Sequence, residues 1–179
     1  MTFVGLLRAI NVGGKNLVAM ADLRALLEKL GFKNVATLLQ SGNVIFTAPA
    51  QDLARLERRL ESAVLKSLGV TTTFIVRSAT QWQALVAGNP FAAAAASDPS
   101  RLIVMPLRDA PAAAAVAALV AAIPGREQVQ VVDRALYAVY PDGIGPSRLT
   151  ITLIERKLAT RGTARNWNTV VKLATAAGL

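Results

Sequence analysis

Val35-Ala36-Thr37-Leu38-Leu39-Gln40-Ser41-Gly42-Asn43-Val44-Ile45-Phe46-Thr47 holds two β-rich runs, Val35 to Leu39 and Val44 to Thr47, on either side of a turn centred on Gly42. That is the pattern of a hairpin. Toward the N-terminus, Met20, Leu23, Leu26, Leu27 and Leu30 recur at helical spacing and Gly31 stands at the C-cap. Ahead of them, Phe3 to Ile10 is a short apolar run, followed by a loop, Asn11 to Asn16, with two glycines. Toward the C-terminus, Pro49 and Asp52 open a helix whose stripe is Leu53, Leu56, Leu60, Val64 and Leu68, ended by Gly69, and Thr71 to Arg77 reads as a strand. The order is βαββαβ, that of a ferredoxin-like sandwich.

The pattern then begins again. Ser78 and Gln81 form a capping box for a short helix through Trp82, Leu85 and Val86, closed by Gly88-Asn89-Pro90-Phe91. Ala92 to Ser100 reads as helix end or loop. Arg101 to Leu107 is a strand, Asp109 caps an alanine-rich helix that stops at Pro124-Gly125, and Glu127 to Val132 with Ala135 to Tyr140 make a hairpin around Asp133-Arg134. Ser147 can cap the segment after it. Leu149 to Ile154 fits strand or helix, and helix is preferred because it gives Glu155-Arg156-Lys157 a place. From Ala164 a last helix puts Trp167, Val170, Val171 and Ala174 on one face. The sequence thus predicts an α+β protein of two ferredoxin-like (α/β plait) lobes. They span residues 1–77 and 100–179, joined by a helical connector over 78–99, and the second lobe ends in a helix in place of its last strand.

Composition narrows the chemistry. The 179 residues include no cysteine and no histidine, which removes disulfides, thiolate nucleophiles, histidine bases and standard zinc sites. The eleven acidic residues fall mostly in helix first turns, on helix faces or at turns, with no spacing for a carboxylate pair or a metal site. Catalysis is the less supported class, no metal site is indicated, and the cofactor is left open. No run approaches the length of a membrane span, so the expectation is a cytoplasmic protein without a membrane partner. Twenty basic against eleven acidic side chains give a net charge of +9, which attracts polyanions in general. From Gly143 onward six basic residues face Glu155 alone, five of the nine net charges.

Three polar runs are the candidate site. Gly13-Gly14-Lys15-Asn16 stands between a strand and a helix, where free N–H groups favour an anion, though the glycines can equally just turn the chain. Arg8 interrupts an apolar strand, so it either pairs inside the fold or points to a site. Ser41-Gly42-Asn43 is by itself an ordinary turn. On a helix, Arg165, Asn168 and Lys172 share a face, and Arg165 can offer two parallel donors to a phosphate or carboxylate.

Together Leu7 to Asn16, Gln40 to Phe46, Asn89-Pro90-Phe91 and Thr163 to Val170 resemble, in order, the hallmark runs of the bacterial family catalogued as domain of unknown function 1697. Ala9 replaces the family's usual glycine, and Leu38 or Leu39 its usual tyrosine. The resemblance implies a pair of ferredoxin-like domains and no particular activity. The reading is a protein that binds an anionic ligand, a nucleotide or nucleic acid, at the junction of its lobes, with Arg8, Asn11, Gly13, Gly14, Lys15, Asn16, Ser41, Asn43, Arg165 and Asn168 as ligand-binding residues. The alternatives are an enzyme acting on a phosphorylated or carboxylated metabolite, and a structural protein whose polar runs lock the lobes together. The oligomeric state is left open.

Overall fold

The structure, a computed structural model, describes Met1–Leu179. The chain forms two compact units, Met1–Ala84 with Leu173–Leu179, and Leu85–Lys172. No helix is long and apolar enough to cross a membrane.

The first unit runs β1 (Thr2–Leu7), α1 (Met20–Lys29), β2 (Lys33–Leu38), β3 (Asn43–Thr47), α2 (Leu53–Leu68) and β4 (Phe74–Ser78). Its antiparallel sheet has the order β2-β3-β1-β4, so the first strand lies inside and the last at the edge. β1 pairs with β3 from Thr2↔Thr47 to Leu6↔Asn43 and with β4 from Phe3↔Ser78 to Leu7↔Phe74. The stripes of both helices meet one sheet face, burying Leu23, Leu27, Leu56, Leu60 and Val64 against Phe3, Phe46 and Phe74. Asp52 caps α2 by accepting from Arg55 N at 2.7 Å, and Gly69 ends it at φ 67.

An edge strand leaves every second N–H pointing away from its neighbour. In β4 those groups belong to Phe74, Val76 and Ser78, and side-chain oxygens accept from all three. Glu61 Oε1 accepts from Phe74 N at 3.0 Å, Glu57 Oε1 from Val76 N at 2.8 Å, and Gln81 Oε1 from Ser78 N at 3.0 Å. Glu57 and Glu61 lie one turn apart on α2, flanking its apolar stripe, so the helix that covers the sheet also closes its edge. Glu57 is only 4% exposed. The Gln81 bond is half of the expected capping box; Gln81 N donates to Ser78 Oγ at 3.2 Å, opening α3 (Ala79–Ala87).

The alanine run forms a short helix, α4 (Ala92–Ser97). The second sheet repeats the first: β5 (Leu102–Pro106), α5 (Ala113–Ala121), β6 (Gln128–Val132), β7 (Ala135–Val139), α6 (Ile151–Leu158) and β8 (Arg165–Asn166), with order β6-β7-β5-β8. α7 (Trp167–Ala176) comes last. The helix expected in place of the last strand is therefore preceded by a true fourth strand, only two residues long, pairing Ile103↔Asn166 and Val104↔Arg165. Two residues carry no alternation to read. What brings the chain there is Gly162, whose missing side chain leaves Met105 and the Pro106 carbonyl their space.

Three local expectations change. α5 starts after Ala112 without a side-chain cap, and the N–H of Asp109 instead donates to Thr160 Oγ1 at 3.1 Å. Thr150, not Ser147, caps α6, accepting from Leu153 N at 3.2 Å. On α7 the buried residues are Thr169, Val170, Leu173 and Ala174, while Val171 is exposed and Trp167 half-buried. In the second unit Tyr137 donates to Leu85 O at 2.6 Å and Tyr140 to Leu149 O at 3.0 Å.

Glu57→Ala leaves the buried Val76 N–H without an acceptor and should lower unfolding free energy by about 1–3 kcal/mol in urea titrations. Glu57→Gln, which keeps an oxygen, should cost less. Burial, aided by Asp133 for Tyr137 and by Glu127 for Tyr140, pushes both phenols up to about 12 from their ordinary 10.0. Between those values the unfolded chain releases these protons and the native chain retains them, so stability present below pH 10 should fall as pH rises toward 12. Tyr137→Phe should flatten that fall in a series of alkaline melts.

Candidate functional site

β1 ends at Leu7, and the chain then enters a run of left-handed backbone: Ala9 (φ 56), Asn11 (53), Gly13 (58), Gly14 (74) and Asn16 (51). Such conformations cost energy for residues with a Cβ and gather where the surrounding structure imposes them. Here the bonds that impose them are visible. Asn11 N donates to Asn16 O and Lys15 N to Val12 O, both at 3.1 Å, so residues 11–16 close on themselves as a small hairpin. Positive φ at both Gly13 and Gly14 is the signature of a type I′ turn. This finger is exposed from Val12 to Leu17, and it ends before α1 begins at Met20. The dipole of the following helix, invoked from sequence, therefore does not act at the glycines.

The asparagines hold the finger in place. Asn11 Nδ2 donates to Val18 O (3.0 Å) and to Gln40 O (2.8 Å), and its Oδ1 accepts from Val18 N (2.9 Å). Asn16 Nδ2 donates to Ala9 O at 3.0 Å. Asn43, fully buried, donates to Leu38 O (2.7 Å) and to Ser41 Oγ (2.9 Å). Two of the three runs singled out in the sequence thus meet, joined by Asn11 and Gln40. Between them Gly42, at φ 75, supplies space: a Cβ there would lie 2.6 Å from Ile10 Cδ1 and 2.8 Å from Leu7 Cβ. Leu39, next to Gln40, is held at φ 61, and no sequence signal marks it.

Arg8 is half-buried at the root of the finger, its N–H donating to Thr73 O (2.9 Å) and its carbonyl accepting from Thr72 Oγ1 (2.8 Å). The groups left facing solvent are the Lys15 side chain and the N–H groups of Gly13 and Gly14, which have no partner in the chain.

Arg165 and Asn168 lie in the second unit. Arg165 is in β8, so the helical face it was expected to share with Asn168 and Lys172 does not form. Its Nη1 donates to Thr163 Oγ1 and to Ala164 O, each at 2.8 Å. Burial lowers its pKa to about 10, which leaves it charged at neutral pH. Asn168 is exposed, whereas Asn166, which the sequence reading passed over, caps α7 through its Oδ1, accepting from Thr169 N (3.0 Å) and Thr169 Oγ1 (2.9 Å). No group of three or more carboxylates converges to suggest a metal set.

Two split-βαβ sheets of identical strand order, the first carrying an asparagine-braced glycine finger, define a tandem ferredoxin-like protein. The chain belongs to the family described as protein of unknown function (DUF1697), whose model matches residues 1–137. Among solved structures it is similar to the conserved bacterial protein SP0830 from Streptococcus pneumoniae, with a TM-score of 0.76 and 24% sequence identity over 98% of both chains. That likeness shows the fold. No curated protein matches the chain.

Gly42→Ala meets both strain and collision and should destabilise by about 2–4 kcal/mol. Gly13→Ala, where a Cβ finds nothing within 4 Å, keeps only the backbone strain and should cost about 1 kcal/mol. Chemical denaturation of the two variants checks the contrast.

Proposed function

We propose that the finger of the first unit is an anion-binding element that takes a phosphate-bearing ligand, a nucleotide or a nucleic-acid strand, in a cytoplasmic setting. The observation that carries this reading is the pair of unpartnered N–H groups at Gly13 and Gly14 beside the exposed Lys15. Consecutive backbone donors in a turn, with a cation next to them, suit a phosphate. The net charge of +9 supplies long-range attraction to the same class of ligand.

The amides of Asn11, Asn16 and Asn43 brace the loop, so they are occupied and do not read base edges. Recognition through backbone N–H and lysine addresses phosphate rather than sequence. The ligand is thus held with little discrimination among bases.

Fluorescence anisotropy with a short single-stranded RNA tests the reading. Affinity should fall with salt by about 0.7 in log affinity per log salt for each phosphate neutralised. Lys15→Gln should weaken binding and reduce the slope by about that one increment, to a similar extent for poly-U and mixed sequences. Absence of binding at low salt, or full affinity in Lys15→Gln, would overturn it.

A further inference from the structure

The second unit contains a cleft of about 320 Å³ between the segment leading into β6 and the loop after β7. Its size is at the small end of ordinary ligand pockets, which run from about 300 to 1,000 Å³. Gly125, Arg126 and Glu127 form one side, and Asp142, Ser147 and Arg148 the other. Every residue of the cleft belongs to this unit, whereas the finger belongs to the first.

The charged groups of the cleft are unequally committed. Arg126 is paired with Asp142, its Nη2 against Oδ1 and its Nε 3.3 Å from Oδ2. Ser147 Oγ donates to Glu127 Oε1 and accepts from Leu149 N at 3.0 Å, which fixes the Glu127 carboxyl by one oxygen. The other oxygen, Glu127 Oε2, is buried and meets no donor. It lies over Gly125, where a Cβ would come within 2.5 Å of it. Arg148, on the opposite side, is exposed and makes no ion pair. The cleft thus holds an acceptor without a donor and a guanidinium fork without an acceptor.

A buried carboxylate oxygen left unbonded is costly, and a donor brought by a ligand removes that cost. A free guanidinium pairs best with a planar or tetrahedral oxyanion. We propose that this cleft binds a small zwitterion, its protonated amine donating to Glu127 Oε2 and its carboxylate or phosphate pairing with Arg148. Glu127 Oε2 is closed over beside Gly125, so binding includes a swing of the carboxylate away from that glycine. The neighbouring Arg126–Asp142 pair is already neutral and leaves the two recognition charges to the ligand.

Isothermal titration of the full chain tests this with 4-aminobutyrate and O-phosphoethanolamine as the two zwitterions, and with ethanolamine, acetate and inorganic phosphate as single-charge probes. At least one zwitterion should bind at millimolar concentration or better, with ethanolamine and the lone anions about tenfold weaker or more. The better of the two zwitterions tells carboxylate from phosphate. Glu127→Gln and Arg148→Gln should each weaken that zwitterion about tenfold or more, and Lys15→Gln should leave it unchanged. Near-UV circular dichroism reports whether each variant is folded. Should Glu127→Gln fail to fold, Arg148→Gln, at an exposed site, carries the test alone. No zwitterion binding, or equal binding by wild type and folded variants, overturns the proposal. Zwitterion binding that vanishes in Lys15→Gln but survives in Arg148→Gln places that ligand on the finger and likewise overturns the proposal, whereas loss of inorganic phosphate binding alone in Lys15→Gln concerns only the finger.

Discussion

The open side of β4 is the constraint on which the first unit rests. A four-stranded sheet of this order must end on its last strand, and a strand with bare N–H groups invites another chain or water into the core. Glu57 and Glu61 meet that need from α2, a helix present for another reason, covering the sheet with leucine and valine, and Gln81 does so from the first turn of α3. Packing and hydrogen bonding are thereby coupled, since α2 cannot slide along the sheet without breaking two carboxylate contacts. The same coupling makes a buried glutamate tolerable, because its charge is met by a donor where it lies.

The finger obeys a similar logic on a smaller scale. A loop with five left-handed residues among eight is strained at the three that carry a Cβ, Ala9, Asn11 and Asn16, and its own backbone makes only two closing bonds. Asn11 adds three more and spans from the loop to the following hairpin turn, where Gly42 lets Leu7 and Ile10 pack close. Rigid support below and unpartnered N–H groups above are supplied by different residues of one short motif.

Much of the fold was legible because long elements repeat their signal. The leucine stripes of α1 and α2, the hairpins around Gly42 and Asp133, and the Ser78–Gln81 box all stand where periodicity and turn chemistry put them. β8 was illegible because two residues have no period, and the cap of α6 was misplaced by three residues because Ser147 and Thr150 are equally able to cap. At the site, residue type drew attention to Asn11 and Asn43 but could not say which way their amides point. Glu57 looked like one more helix-surface acid; its place beside the apolar stripe was readable, its partner across the sheet was not. The acceptor at Glu127 depends on a contact with Ser147 twenty residues away and left no local trace.

Because the finger closes at its base through Asn11, Asn16, Val12 and Lys15, residues 13 and 14 contribute nothing to the sheet or the core. The tip is thus carried on a stem that closes without it. Lengthening it alters only loop-closure entropy, which grows slowly with length. A change at the tip is therefore felt in the turn itself, where the left-handed backbone of residues 13 and 14 favours glycine, and leaves the sheet and the core as they are.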